Sequence, residues 1–111
     1  MKVVEIYQNN KKVYNGPIYL ANNFYSRLIG LMGKDKIGDE EGMFFRNVNR
    51  IHTFFMKFDI DVVYLNKEYE VLDVETIQPN KIGKFVKGAK HVLELNANKG
   101  AKLTKQKIDV V

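Results

Sequence analysis

Over several short stretches, apolar and polar residues alternate with a period of two, the pattern of strands with one buried face. "VVEIYQ" (residues 3–8) alternates in this way and reads as a strand. A polar "NNKK" follows, and "VYNGPIYLA" (13–21) resumes the pattern across Asn15, Gly16 and Pro17. Together these predict an N-terminal hairpin, with Pro17 at a strand start or sheet edge because it lacks an N–H. "GMFF" (42–45), "IHTFFM" (51–56), "DVVYL" (61–65), "VLDVETI" (71–77), "HVLEL" (91–95) and "KIDVV" (107–111) read as further strands. "DVVYL" and "VLDVETI" flank a short polar segment and pair most simply as a hairpin.

One stretch carries the helical period instead. Phe24, Leu28, Leu31 and Met32 fall on one helical face. Asn22 or Asn23 supplies a cap for the first-turn amides, and Gly33 a natural stop. Gly30, inside that span, costs about 1 kcal/mol relative to alanine and points to close packing or a short helix. "NANKGAKLT" (96–104) has room for one helical turn, and the basic, glycine-punctuated segment 78–90 is expected to be a mobile surface loop. The expectation is a single α+β domain over 1–111. It is β-rich, with a curled or barrel-like sheet and one main helix packed on it.

Composition narrows the chemistry. With 111 residues, 45% hydrophobic and 28% charged, the chain suits one packed core. Cysteine is absent, which excludes disulfides, thiolate nucleophiles and cysteine-ligated metal centres. His52 and His91 are the only histidines, so a zinc site would need carboxylates for most of its ligands. No metal or cofactor is therefore expected. No apolar run approaches the roughly 18 residues of a transmembrane helix, and the N-terminus lacks the apolar core of a signal peptide. The expectation is a cytoplasmic monomer without membrane insertion.

The net charge of +5 is unevenly placed. Residues 81–107 hold eight lysines against one acid, Glu94, whereas residues 1–80 hold ten basic and eleven acidic groups. Such asymmetry attracts polyanions, but arginine and clustered aromatics are missing there, so a solvated lysine face is the simpler reading.

"RIHTFFMKFDIDVVYLN" (50–66) sets polar groups into an apolar run. In an extended strand His52 shares a face with Phe54 and Met56, while Lys57 faces the other way. A histidine on such a face suits ligand contact or proton transfer, or simply a bond to a carbonyl. Asp59 and Asp61 lie two apart. Asp61 reads as a strand-end residue bonding backbone amides, with catalysis the alternative. Glu94, flanked by leucines, needs a partner, and Arg27 on the predicted helix is the natural donor to Glu94 or Asp61. The methionines and phenylalanines, Phe54 and Phe55 included, read chiefly as core.

Four blocks, "RLIGLMGK" (27–34), "GMFF", "HTFFMKFDIDVVYLN" (52–66) and "GAKHVLEL" (88–95), taken in order resemble the domain-of-unknown-function 192 family. The resemblance covers about residues 18–111 and leaves out the N-terminal hairpin. It implies a compact β-rich α+β fold, often barrel-like, with no established activity; some relatives carry export signals. Asp59 stands where many members have proline, and Tyr69 where many have a hairpin glycine. The second difference shifts the expected left-handed turn residue to Asn66.

The functional expectation is a non-enzymatic module binding a small or extended ligand in an aromatic- and methionine-lined groove. Its candidate residues are Arg27, His52, Phe54, Met56, Lys57, Asp61 and Glu94, edged by the loop 78–90. The alternatives are a hydrolase-like enzyme using His52 with Asp61, weak nucleic-acid binding through the C-terminal lysines, and a purely structural or partner-binding protein.

Overall fold

Strand β6 (Ile60–Leu65) is apolar at every position but Asp61, and every one of its residues is buried. Such a strand needs neighbours on both edges and both faces. A computed structural model, which describes residues 2–21 and 34–111, supplies them. β7 (Val71–Ile77) and β8 (His91–Asn96) flank β6, both antiparallel to it. Beyond β8 come β5 (Gly42–Phe45), then β4 (Ile18–Ala21) parallel to β5, then β1 (Val3–Val4), completing a six-stranded sheet. A second sheet has the order β3 (Lys11–Lys12), β2 (Ile6–Gln8), β9 (Asp109–Val110).

The expected N-terminal hairpin is thus divided between two sheets. Val3 and Val4 pair with β4, while β2 turns back through Asn9 and Asn10 to pair with β3. Both asparagines are left-handed, at φ 54° and 63°, as a two-residue hairpin turn matching the strand twist requires. The predicted β6–β7 hairpin is present, but Tyr69, at φ 67°, takes the left-handed conformation expected of Asn66. Asn66 instead braces the turn, its Oδ1 accepting the N–H groups of Glu68 at 3.0 Å and Glu70 at 2.9 Å. The Tyr69 ring meets His91 edge-on at 4.8 Å and its hydroxyl accepts Arg46 Nε–H at 2.9 Å, contacts that offset the backbone cost.

Alternation along the central strands divides the core in two. Val63, Leu65, Leu93, Leu95 and Phe44 face the small sheet and pack with Ile6, Tyr14 and Ile108. Ile60, Val62, Tyr64, Val92, Met43 and Phe45 face the other way, against Ile37, Ile51, Met56 and Ala89 from long connections.

Two expectations need correction. Among the described residues the fold is β, not α+β: the only helical piece is a 3-10 turn, Gly100–Lys102, where the single turn was expected. The predicted helix, with Arg27, lies outside the described residues. The described elements on the second face are loops, so no main helix is packed on the sheet by them. Nor do the described strands close into a barrel. β1 and β7 form the opposite edges of the six-stranded sheet and do not pair. The β7 edge is blunted instead: Asp73 Oδ1 accepts the Val74 N–H at 2.8 Å and its carboxylate pairs with Lys84.

Candidate functional site

The stretch "IHTFFM" is not a strand. His52 forms one isolated antiparallel bridge with Ile82, and the chain then turns, with Met56 N–H donating to Thr53 O at 3.1 Å. The third residue of that turn is Phe55, at φ 66°. A type II turn demands a positive φ there and normally takes glycine or asparagine. A phenylalanine in this conformation is strained by about 1–2 kcal/mol. Phe55 nonetheless exposes 74% of its surface, so core packing does not explain it.

The turn is held from the loop that follows β7. Fully buried Thr53 donates its hydroxyl to Gln78 O at 2.6 Å and accepts the Lys81 N–H at 2.8 Å. Its backbone N–H donates to Lys81 O at 2.8 Å, and Asn80 N–H to Thr53 O at 2.9 Å. Asn80, itself left-handed at φ 62°, accepts the Phe55 N–H on Oδ1 at 3.2 Å. Gly83 completes the junction, its N–H donating to Ile51 O at 2.9 Å. A Cβ there would lie 2.7 Å from the Tyr64 hydroxyl oxygen and 2.8 Å from Ile51 Cγ1, so only glycine fits. Beneath it Tyr64 donates to Glu75 Oε1 at 2.9 Å, and the same oxygen accepts Lys84 N–H at 3.0 Å. Burial, then the bond to Glu75, pushes the Tyr64 phenol well above its ordinary pKa.

On this frame stands an outward-facing apolar cluster. The His52 ring stacks on Phe54 with centroids 4.7 Å apart, and His52 Nδ1 accepts the Phe54 N–H at 3.2 Å, leaving the neutral ring's proton on Nε2. Ile82, opposite His52, is 64% exposed; Phe85 is 67% exposed and carries the Arg50 guanidinium 6.0 Å above its ring. Phe55 was expected in the core, and Ile82 and Phe85 fall in the segment 78–90 expected only to be a mobile loop, so none of the three was singled out as a surface group. For Ile82 and Phe85 the sequence signal is apolar residues among the lysines and glycines of residues 81–88, where no strand or helix period accounts for them; Phe55, inside "IHTFFM", carries no such signal.

The other candidates are dispersed. Met56 lies in the core below the turn, and Lys57 Nζ pairs with Asp35 at 3.1 Å in solvent. Asp61 points to the opposite face of the large sheet, where Oδ1 accepts the Thr76 hydroxyl at 2.6 Å and Oδ2 the Gly100 N–H at 2.9 Å. Gly100 passes so close that a Cβ would sit 2.6 Å from Val74 Cγ1. His52 and Asp61 therefore do not meet, and the pair a His/Asp hydrolase needs is not assembled. Glu94 is buried on the loop-covered face between Met43 and Val62, and burial pushes its carboxyl up to about 8. No donor among the described residues reaches it, and Arg27 lies outside them. The described residues contain no cluster of His, Asp or Glu suited to a metal ion, and no helix among them is long and apolar enough to cross a membrane.

Comparison with known proteins decides the family. Residues 4–110 match the model of DUF192, described as "Uncharacterized ACR". The chain belongs to the DUF192 family. The match begins within β1 and so takes in strands that the four motif blocks leave out. A UPF0127 protein of Pyrococcus abyssi is 33% identical over 97 residues, covering 82% of this chain and 80% of the relative. A UPF0127 protein of Thermococcus sibiricus is 31% identical over 87 residues, covering 75% of this chain but 56% of that longer relative. A crystal structure of a protein of unknown function from Novosphingobium aromaticivorans shares the fold, with a TM-score of 0.77 at 20% identity over 98% of this chain and 83% of that one. DUF192 thus brings a fold and a family, and the function of its members is not established.

Proposed function

We infer that this DUF192 chain is a non-catalytic binding module whose recognition surface is the joined loops 50–58 and 78–88. The observation that carries this reading is Phe55: a large apolar side chain, 74% exposed, held at φ 66° by Thr53 and Asn80. Strain that stabilises nothing inside the molecule is characteristic of ligand-contacting turns. Exposed Phe54, Ile82 and Phe85 extend the surface, and His52 adds a ring N–H that a polar ligand group can accept. Of the sequence-level candidates, His52 and Phe54 belong to this surface. Met56 supports it from below, and Asp61 maintains the fold from the other face.

A ligand screen read by amide chemical-shift change tests the reading. The expected result is shifts concentrated on His52, Phe54, Phe55, Ile82 and Phe85. Shifts concentrated instead in the groove formed by Tyr7, Tyr69, Lys107, Ile108 and Val110, about 660 Å³ in volume, would move the site to the small sheet and refute it.

A further inference from the structure

We propose that the joined loops dock this protein reversibly on an anionic lipid surface, with Phe55, Ile82 and Phe85 entering the interface and the surrounding cations meeting lipid phosphates. The proposal rests on the reading of these loops as the binding surface and names what they bind.

Charge is the first ground. Residues 50–58 contain two basic residues and residues 78–88 contain three, and neither segment contains an acid. Lys57 and Lys84 are matched by Asp35 and Asp73 from outside the two segments. Arg50, Lys81 and Lys87 make no ion pair with any described residue, and all three are exposed: Arg50 lies over Phe85, Lys81 precedes Ile82 in the chain and Lys87 follows Phe85 by two residues. Exposed cations beside protruding apolar groups complement the anionic headgroups and hydrocarbon boundary of a bilayer.

The shape and chemistry of the cluster separate this occupant from its competitors. Phe55 stands at the tip of a turn and Ile82 and Phe85 on the neighbouring loop, each with well over half its surface in solvent. These side chains project; they do not line walls that would grip the side chains of a peptide. Single-stranded nucleic acid is bound by open aromatic faces on which bases stack. Here His52 and Phe54 already stack on each other and Arg50 covers Phe85. Ile82 has no face to offer a base, yet it partitions into an apolar phase as readily as the rings do. Lysine prevails over arginine in the loop 78–90, which suits diffuse attraction to many headgroups over bidentate capture of one group.

The chain has no tryptophan, so Phe55→Trp places a single reporter at the tip. The experiment mixes this variant and the natural chain with vesicles of phosphatidylglycerol and phosphatidylcholine in equal parts, and with phosphatidylcholine alone. The expected results are cosedimentation with the anionic vesicles, a blue shift of the Trp emission, and its quenching by brominated acyl chains. The double variant Phe55→Ser/Phe85→Ser should lose about tenfold in vesicle affinity with an unchanged circular dichroism spectrum. Lys81→Glu/Lys87→Glu should lose a similar factor on anionic vesicles only. Adsorption that the serine variant retains in full, together with no blue shift in Phe55→Trp, would reduce the effect to bulk charge and overturn the proposal. Binding of an oligonucleotide or an acidic peptide in place of vesicles would overturn it in favour of that partner. A chain that ignores vesicles while its loop amides shift with a soluble ligand would lose the lipid and keep the binding surface. Shifts elsewhere would end both.

Discussion

Replacing Phe55 by alanine and by glycine gives a test whose sign, not merely its size, reports the turn. At an ordinary negative φ, alanine is more stable than glycine by about 0.4–1 kcal/mol, because glycine loses more freedom on folding. At φ 66° a Cβ instead meets the left-handed penalty of about 1–2 kcal/mol. Subtracting the first from the second leaves Phe55→Gly more stable than Phe55→Ala by about 1 kcal/mol. The residue as a whole is 26% covered, from its 74% exposure, which on about 200 Å² is roughly 50 Å², or at most about 1 kcal/mol of apolar burial. Loss of that burial and relief of strain nearly cancel, so Phe55→Gly should fall within about 1 kcal/mol of the natural chain. By contrast Phe44→Ala, in the core, should cost about 3–5 kcal/mol. Urea unfolding followed by circular dichroism measures all of these, provided the slopes with denaturant stay equal. Alanine as stable as glycine at position 55 would show that the turn is not left-handed there, and the inference from strain to binding would fall with it.

Asp61→Ala strands the buried Gly100 N–H and should cost about 3–5 kcal/mol, whereas Asp61→Asn can still accept from Gly100 and donate to Thr76 and should cost about 1–2 kcal/mol; equal losses in urea unfolding would refute the assigned bonds. Glu94 has a folded pKa of about 8, raised by burial above its unfolded value, so the folded state holds the proton longer and stability falls as pH rises from the usual carboxylate range towards 8. Glu94→Gln should flatten that slope in urea titrations from pH 5 to pH 8, and an unchanged slope would assign it to other groups. Gly83→Ala has no space beside Tyr64 and Ile51 and should lower the melting temperature while speeding amide exchange at Lys81 and Gly83; unaltered exchange would show that the loop junction tolerates a Cβ.

The parts of the fold legible in the sequence are those with strong short-range signals. β5, β6 and β8 are mostly apolar over a strand's length and β7 sets valine, leucine and isoleucine among polar residues, and the structure places strands there. Lone Asp61 inside an apolar run could be read as a backbone anchor, since a buried carboxylate must be satisfied. What it anchors, the Gly100 turn thirty-nine residues away, has no sequence signal because the pairing is non-local. The same limit hid the division of the N-terminal strands between two sheets: β1 and β2 are adjacent in sequence, and their partners β4 and β9 are far apart in it. "IHTFFM" misled for a different reason. Its alternation and β-branched and aromatic content fit a buried strand, but buried Thr53 spends its hydrogen bonds on the neighbouring loop and turns the chain outward.

That turn links the fold to the candidate function. A strand over residues 51–58 would have put His52, Phe54 and Met56 on one face and Phe55 on the other. The turn sends Met56 into the core and leaves His52, Phe54 and Phe55 outside, so the groove expected from parity becomes a projecting cluster. The polar side chains responsible, Thr53 and Asn80, come from two loops separated by the β6–β7 hairpin. The hairpin brings its two ends together, and Gly83 sets the approach by packing on Tyr64 of β6. Sheet geometry therefore determines where the loops meet, and a few side-chain bonds determine which groups they present. Changes in Phe55, Ile82 or Phe85 should alter binding with little effect on stability, because these side chains are mostly in solvent. Changes in Thr53 or Gly83 should alter both, because each is buried at the junction on which the exposed groups depend.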